Sequence, residues 1–175
     1  MNSARDQVAG SRKHFEAPET KALHAMSELD FGLRGLVLML PRMISQQPNA
    51  AVAHVLRASG SMSNMLRSGL RGFAGTHGLG VASRACEDID ALLNEVRGKQ
   101  VKIKYGRVQP SAVFFPLLDL WKALLLRWGA LIDTSNAFLD RSALEPVMAL
   151  YEEAKRMEAV LVDAIVEKHS SPSLS

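Results

Sequence analysis

The chain has 175 residues and a mass of 19.1 kDa, which suits a single domain with its own core. Hydrophobic residues make up 47% and charged residues 22% of the chain, a balance that excludes a disordered protein. The single cysteine excludes a disulfide scaffold, and a net charge of +3 favours solubility without naming a partner.

Two segments of the sequence indicate whether the protein is secreted or inserted into a membrane. Residues 1–14 are polar and lack the apolar core of a secretory signal. The longest apolar run, 112–132, carries Asp119, Lys122 and Arg127, which are costly at the centre of a bilayer. We therefore expect a cytoplasmic protein that does not bind a membrane.

The N-terminal part of the chain predicts a tail and one helix. Residues 1–17 are interpreted as a flexible polar tail. Helix one is predicted over Glu19–Leu40, ending before Pro41 because proline disrupts a helix interior. Gly32 and Gly35 either weaken this helix or allow a neighbour to approach closely.

Helix two is predicted to start near Asn49, which serves as its N-cap, and its apolar spacing passes through Gly60 without a phase break. The alternative is two short helices with a turn at 59–61, which would permit a helix-turn-helix within 55–67. The glycines of 69–80 predict the end of the helix and a mobile loop.

Helix three is predicted over Val81–Arg97, with Gly98 as the residue just past its end. Cys86 falls in its apolar pattern and is interpreted as a small core residue. The acidic cluster within 87–90 is interpreted as a solvated face near the helix N-terminus, where acids suit the helix dipole. Residues 99–109 alternate between apolar and charged side chains, which predicts a short strand or an extended loop.

Two further helices are predicted. Helix four, over Ser111–Leu131, is apolar nearly all round, so we expect it at the centre of the protein. Helix five begins at Ser142, where Ser142 and Glu145 match a capping box.

These elements predict an all-α fold in which residues 18–140 form a helical bundle. Residues 141–169 add a C-terminal amphipathic helix, and 170–175 form a frayed tail. The five histidines and the cysteine do not stand at metal-ligand spacing, and no nucleophile has a base beside it. We therefore expect no enzymatic activity, no cofactor and no metal.

The net charge conceals an asymmetry. Residues 1–110 hold 15 lysines and arginines against nine aspartates and glutamates, whereas 111–175 hold six against nine. No acid occurs between Asp30 and Glu87, although six arginines do. A second cluster of basic residues without acids follows at 97–107. A polyanion is therefore a candidate partner.

Helical geometry brings Arg57, Arg67 and Arg71 within about 80° of one another, away from the apolar stripe of helix two. Arginine offers bidentate donors to phosphate or carboxylate. Three interpretations remain open: pairing with the chain's own acids on helix five or in the acidic cluster, binding of nucleic acid or another polyanion, and binding of an acidic protein. The basic cluster also includes Tyr105, which is available for stacking on a base.

The residues predicted to bind nucleic acid are Arg57, Arg67, Arg71, Lys99, Lys102, Lys104 and Arg107.

Three stretches of the chain resemble a known family. They are Arg57-Ala58, Ser61-Met62, Leu66 and Gly69 in helix two, Cys86, Asp88, Ile89, Asp90 and Leu93 in helix three, and Leu126–Ile132 in helix four. In order and spacing, about residues 20–132 resemble the four-helix-bundle proteins encoded in ribosomal-RNA intervening sequences. Those are similar to the accessory variability proteins of diversity-generating retroelements.

This resemblance implies an up-down four-helix bundle, a homo-oligomer (pentamers are known in the family) and no enzymatic activity. The retroelement proteins bind their reverse transcriptase and nucleic acid through basic surfaces. We therefore predict a non-enzymatic basic bundle that binds RNA or DNA, as an accessory to a reverse transcriptase or another nucleic-acid enzyme. The alternative is a protein-interaction module, such as an adaptor, chaperone or immunity-type protein, that binds an acidic partner.

Overall fold

A computed structural model describes residues 17–82 and 84–170, with side chains up to Glu167. A short 3-10 helix, Pro110–Val113, precedes the fourth of five α-helices. The α-helices are α1 (Pro18–Ser45), α2 (Ala50–Thr76), α3 (Glu87–Lys104), α4 (Phe114–Ser135) and α5 (Arg141–Ser170). The all-α prediction is confirmed, and nearly all of both predicted tails lies outside the described residues.

Helix α1 packs along α2 and α4, and α5 packs along the same two helices. The C-terminal helix is thereby packed into the bundle, and α3 lies against α1 and α4. Helix α4 is central, as predicted, since its Trp121 and Trp128 are fully buried. The indole N–H of Trp121 donates a hydrogen bond to the hydroxyl of Ser59 on α2 (3.0 Å).

Helix α1 does not end at Leu40 as predicted but continues through Pro41 to Ser45. Proline leaves one helical carbonyl without its N–H partner, at a cost of about 3 kcal/mol in a helix interior. Leu40 before the proline and Met43 after it are both buried in the core. Their burial offsets this cost, at about 1.5–3 kcal/mol for each large apolar side chain.

Helix α2 is one continuous helix. Asn49 caps it as predicted, its side chain accepting a hydrogen bond from the backbone N–H of Val52 (3.0 Å). The helix passes through Gly60, so a turn at 59–61 and a helix-turn-helix within 55–67 are both wrong. The unbroken apolar spacing had favoured the continuous helix.

The predicted loop over 69–80 begins later than expected, because α2 continues to Thr76. Gly78 ends the helix with a positive φ of 66°, a conformation that glycine adopts without strain. The N–H of Leu79 then donates to the carbonyl of Ala74 (2.8 Å), which satisfies one of the terminal carbonyls.

Helix α3 both begins and ends later than predicted. Its buried residues repeat every three and four positions, which is the spacing of one helix face. They are Ile89, Leu93, Val96, Gln100 and Ile103. The predicted strand or extended loop over 99–109 is therefore wrong for its first half. An alternating period would bury Val101 and Tyr105 together with Ile103, but both are exposed, and the helical period buries Gln100 and Ile103 instead.

The end of α3 lies at Lys104 rather than before Gly98, which is exposed inside the helix. Gly106, with φ of 67°, takes the terminal position instead. The N–H of Arg107 donates to the carbonyl of Lys102 (2.9 Å), and that of Gly106 to Ile103 (2.9 Å).

Helix α5 begins at Arg141 and is not capped by the predicted Ser142–Glu145 box. Asp140 caps it, since one carboxylate oxygen accepts from the N–H of Ala143 and from the hydroxyl of Ser142, both at 2.8 Å. These bonds lower the pKa of Asp140, that from Ala143 having the largest effect. The cap is therefore an aspartate that precedes the serine.

Of the two interpretations of Gly32 and Gly35, close approach of a neighbour fits the structure. A Cβ added at Gly32 would lie 2.6 Å from a terminal carbon of the buried Leu124 and 3.1 Å from Ile89. A Cβ at Gly35 would lie 2.5 Å from Leu93. Glycine on α1 thus lets both α3 and α4 pack tightly against it.

We expect Gly32→Ala to lower the free energy of unfolding by about 1–3 kcal/mol through overpacking. Gly72 is the matched control, because it is exposed in α2 and an added Cβ meets no atom within 4 Å. Gly72→Ala should raise the free energy of unfolding by about 0.5–1 kcal/mol, since alanine has the higher helix propensity. Urea denaturation measures both, and equal stabilisation by the two substitutions would contradict the close approach.

Among the described residues, no helix combines the length and the apolar character needed to cross a bilayer.

Candidate functional site

A groove of about 410 Å³ lies between the C-terminal parts of α1 and α3. Arg42, Met43 and Gln46 reach it from the end of α1 beyond Pro41. The last turns of α3, beyond Gly98, contribute the other wall. The two helix extensions that the sequence did not predict therefore supply most of the groove, and Leu38, Met39 and Arg97 complete it from the predicted parts of α1 and α3.

The walls of the groove expose large apolar side chains. Leu38 is 68% exposed, Val101 54% and Tyr105 67%. Leu38 belongs to α1, whereas Val101 and Tyr105 come from the end of α3. Three large apolar side chains therefore lie exposed around one concave surface.

The charged residues that line the groove are all basic: Arg42 from α1, and Arg97 and Lys104 from α3. None of the lining residues is acidic, and the guanidinium of Arg97 donates to the neutral Asn94 (2.7 Å). The electrostatic field in the groove therefore favours an anion.

Gln100 also lines the groove, and only 5% of it is exposed. Neither its amide oxygen nor its amide nitrogen has a hydrogen-bond partner among the described residues. An unsatisfied buried polar group costs about 1–3 kcal/mol, so this amide lowers the stability of the fold locally.

Four of the seven residues predicted to bind nucleic acid lie near the end of α3. Lys104 lines the groove, and Lys102 and Arg107 are exposed next to it in sequence. Lys99 is half-buried. At 100° per residue, Lys99 and Lys102 lie about 150° around the helix from the face that carries Arg97 and Lys104.

Arg67 and Arg71 hold the fully buried Asp30 of α1. Arg67 donates to it from Nε (2.9 Å), and Arg71 donates from Nε (2.7 Å) and from Nη2 (3.0 Å) to the two carboxylate oxygens. Of the interpretations left open, pairing with the chain's own acids holds for these two arginines. The acid is Asp30, not one of helix five or of the acidic cluster.

Burial by itself would raise the pKa of Asp30, but the hydrogen bonds from Arg71 and Arg67 outweigh it and hold that pKa below its usual value. Asp30 is therefore ionised in the folded protein at neutral pH.

The remaining member of the predicted arginine stripe, Arg57, is exposed on α2. It lies ten residues from Arg67, or about 15 Å along the helix axis. The seven predicted residues are thus distributed over the Asp30 cluster, the exposed Arg57 and the end of α3, and the structure does not gather them into one surface.

The acidic cluster lies in the first turn of α3, as expected, and is linked to α1 and α4 through Arg127. The guanidinium of Arg127 pairs with Asp88 and with Glu28 (3.1 Å), so one side chain joins three helices. Cys86 lies at the N-cap of α3 rather than inside a helix, half-buried against the core. Burial and the hydrogen bond that its thiol donates to Asp88 (2.7 Å) raise the pKa of Cys86.

No group of histidine, cysteine and carboxylate side chains that could hold a metal ion occurs in the described ranges.

Arg42 and Arg97 belong to the basic stretches of the sequence but were not among the residues predicted to bind nucleic acid, and Gln100 was not predicted to lie in a site. One signal was available, since the apolar face of α3 continues past Gly98 with a glutamine at a core position. A polar residue inside an apolar repeat marks a buried group that needs a partner.

No family model matches the chain, and no curated protein matches it. A similar solved structure is that of YcfI from Rhodopseudomonas palustris, a protein with a proposed structural role. The two structures align with a TM-score of 0.73 over 86% of this chain and 96% of YcfI, at 18% sequence identity. At this identity the likeness concerns the fold alone.

Proposed function

We propose that the protein is a non-enzymatic helical bundle that binds nucleic acid through the groove between the ends of α1 and α3. One observation carries the proposal. Three cations, Arg42, Arg97 and Lys104, surround exposed apolar side chains that include Tyr105, and no groove-lining acid neutralises them.

The two kinds of side chain suit the two parts of a nucleotide. Arginine and lysine contact phosphates and supply most of the affinity, whereas an aromatic ring offers a stacking surface to a base. Tyr105 follows α3 directly, so its backbone position is set by the helix end that Gly106 completes.

The other residues predicted to bind nucleic acid should contribute to the affinity to different extents. Arg107 is exposed just past the end of α3, whereas Lys102 and Lys99 lie about 150° around that helix from the groove-lining Arg97 and Lys104, so we expect them to add only to the general positive field. Arg57 is an exposed auxiliary contact on α2. Arg67 and Arg71 already neutralise Asp30, so we expect the smallest contribution to binding from these two.

The resemblance to the retroelement proteins supports an accessory role beside a reverse transcriptase or another nucleic-acid enzyme, and a homo-oligomeric state. Exposed apolar side chains on α5, among them Val160 and Val162, are compatible with contacts between subunits. Light scattering on a size-exclusion column tests this part of the proposal, and a stable monomer would overturn it.

A salt titration tests the proposal itself. Binding of labelled single- and double-stranded RNA and DNA should weaken as salt rises, with a slope of about −2 to −3 in log K against log salt for three phosphate contacts. Undetectable binding of all four probes at about 50 mM salt, where phosphate contacts are strongest, would overturn it.

A protein-interaction module is the second candidate, favoured by the exposure of Leu38, Val101 and Tyr105 around one groove. An amphipathic helix with an acidic face would meet both the apolar walls and the three cations. Co-purification of a defined acidic protein, with no absorbance from nucleic acid, would favour this function over the first.

A further inference from the structure

We propose that the exposed side of α5 binds the same side of α5 in a second copy of this chain, as an antiparallel, two-fold symmetric helix pair. The inference rests on the homo-oligomeric part of the proposed function and names the surface that joins the subunits. Nucleic-acid binding is a separate property, because α5 contributes no residue that lines the groove.

Helix α5 presents two different faces. Ala154, Met157 and Leu161 are buried in the core, on the side where α5 packs along α2 and α4. The opposite side, which we call the outer face, carries exposed residues spaced alternately by four and three positions. This is the heptad spacing of a helix that pairs with another helix. The residues of the outer face are Met148, Glu152, Lys155, Ala159, Val162 and Val166.

The C-terminal half of the outer face is apolar. Val162 is 40% exposed and Val166 55%, and Ala159 is exposed one helical turn before them. Ala159 has the smallest side chain of the outer face, so another helix can approach the backbone of α5 closely at this point. Burial of these side chains favours association. It does not by itself select a partner, whereas the charges of the outer face do.

These charges select the direction of the helix pair. In a parallel pair each seam residue meets its own copy, so Glu152 would face Glu152 and Lys155 would face Lys155. Both contacts are repulsive. In an antiparallel pair with Ala159 opposite Val162 of the second copy, Lys155 lies opposite Val166 instead. Its alkyl stem then covers the valine while its ammonium group stays in water.

An ion pair between the two copies fits this antiparallel register. Arg156 and Asp163 are seven positions apart and both exposed, so they flank the outer face on the same side. Arg156 of one copy and Asp163 of the other then differ by about 3 Å in height along the pair, and the two-fold symmetry forms this contact twice. Within the described part of the chain Asp163 forms no ion pair, and Arg156 is 71% exposed beside Glu153. The outer face is therefore complementary in charge to itself.

Two charge reversals test this contact. In a dimer, Arg156→Glu places two acids opposite each other twice, and Asp163→Arg does the same with two cations. We expect the wild type to be a dimer in sedimentation equilibrium and each variant to dimerise at least about tenfold more weakly. An equimolar mixture of the two variants should recover the dimerisation constant of the wild type, because each new acid then faces a new cation.

Lys122→Glu and Asp119→Arg are the matched controls. They reverse one exposed cation and one exposed acid of α4, neither of which belongs to the outer face of α5. Both variants should keep the dimerisation constant of the wild type. A thermal melt shows that all four variants are folded.

Two outcomes would overturn this inference and leave the proposed function standing. One is a homo-oligomer whose stability neither reversal on α5 changes, because the subunits would then meet elsewhere. The other is a mixture that dimerises no better than the separate variants. A monomeric wild type would overturn both this inference and the proposed homo-oligomer. An intact dimer that binds none of the nucleic acids in the salt titration would instead overturn the proposed function alone.

Discussion

Asp30→Ala should lower the free energy of unfolding by about 2–4 kcal/mol, because it leaves Arg67 and Arg71 beside a buried site without their carboxylate. Breaking a wholly buried ion pair costs about 3–5 kcal/mol. The side chain of Arg67 is 25% exposed and that of Arg71 49%, so water compensates part of the loss.

Two further substitutions separate charge from packing. Asp30→Asn keeps the shape but not the charge and should cost less than Asp30→Ala, about 1–3 kcal/mol. Asp119→Ala removes an exposed acid from α4 and should change stability by less than about 0.5 kcal/mol. Denaturant unfolding measures all three, and equal small effects for Asp30 and Asp119 would contradict the structural role of Asp30.

The carboxyl group of Asp30 also makes the stability of the fold depend on pH. The folded protein lowers the pKa of Asp30, so the folded state releases this proton more readily than the unfolded chain. The ionised carboxylate of Asp30 contributes fully to the free energy of unfolding above its unfolded pKa of about 3.9. This contribution is lost as the pH falls through the lower pKa of the folded state. The difference in stability between the wild type and Asp30→Asn should therefore shrink only below about pH 4.

Reversing the three groove cations, as Arg42→Glu, Arg97→Glu and Lys104→Glu together, should weaken binding of single-stranded nucleic acid by more than about 100-fold at about 0.1 M salt. The substitution removes three phosphate contacts and adds three repulsive charges. The salt slope should also fall in magnitude by about two. Anisotropy at several salt concentrations measures both quantities.

A second triple variant has the same net charge as the groove variant and serves as its control. Lys21→Glu, Lys122→Glu and Arg141→Glu reverse three exposed cations that do not line the groove. This control should lose far less affinity than the groove variant. Equal losses in the two variants would indicate attraction by overall charge, and the groove would not be the binding site.

Much of the fold was predictable from local patterns. Apolar residues at helical spacing indicated five helices, and Asn49 indicated where α2 begins. These features depend on side chains a few residues apart, which interact through the helix itself. The unbroken spacing through Gly60 likewise favoured one helix over two.

Helix ends were less predictable, because burial against other helices decides them. Pro41 and Gly98 both disfavour a helix locally, yet α1 and α3 continue through them. Met43 and Ile103 lie beyond these residues and are buried in the core. Their burial offsets a local cost of about 3 kcal/mol for the proline and about 1 kcal/mol for the glycine.

The candidate site likewise depends on contacts between helices that are distant in sequence. An all-α chain and a basic stretch without acids could be predicted from composition and residue spacing, because both are local properties of the chain. The packing of α1 against α2 places Asp30 where it neutralises Arg67 and Arg71, and no local pattern predicts this pairing. The packing of α1 against α3 likewise brings Arg42 into one groove with Arg97 and Gln100. These residues are more than fifty positions apart in the chain, a separation that no local pattern encodes.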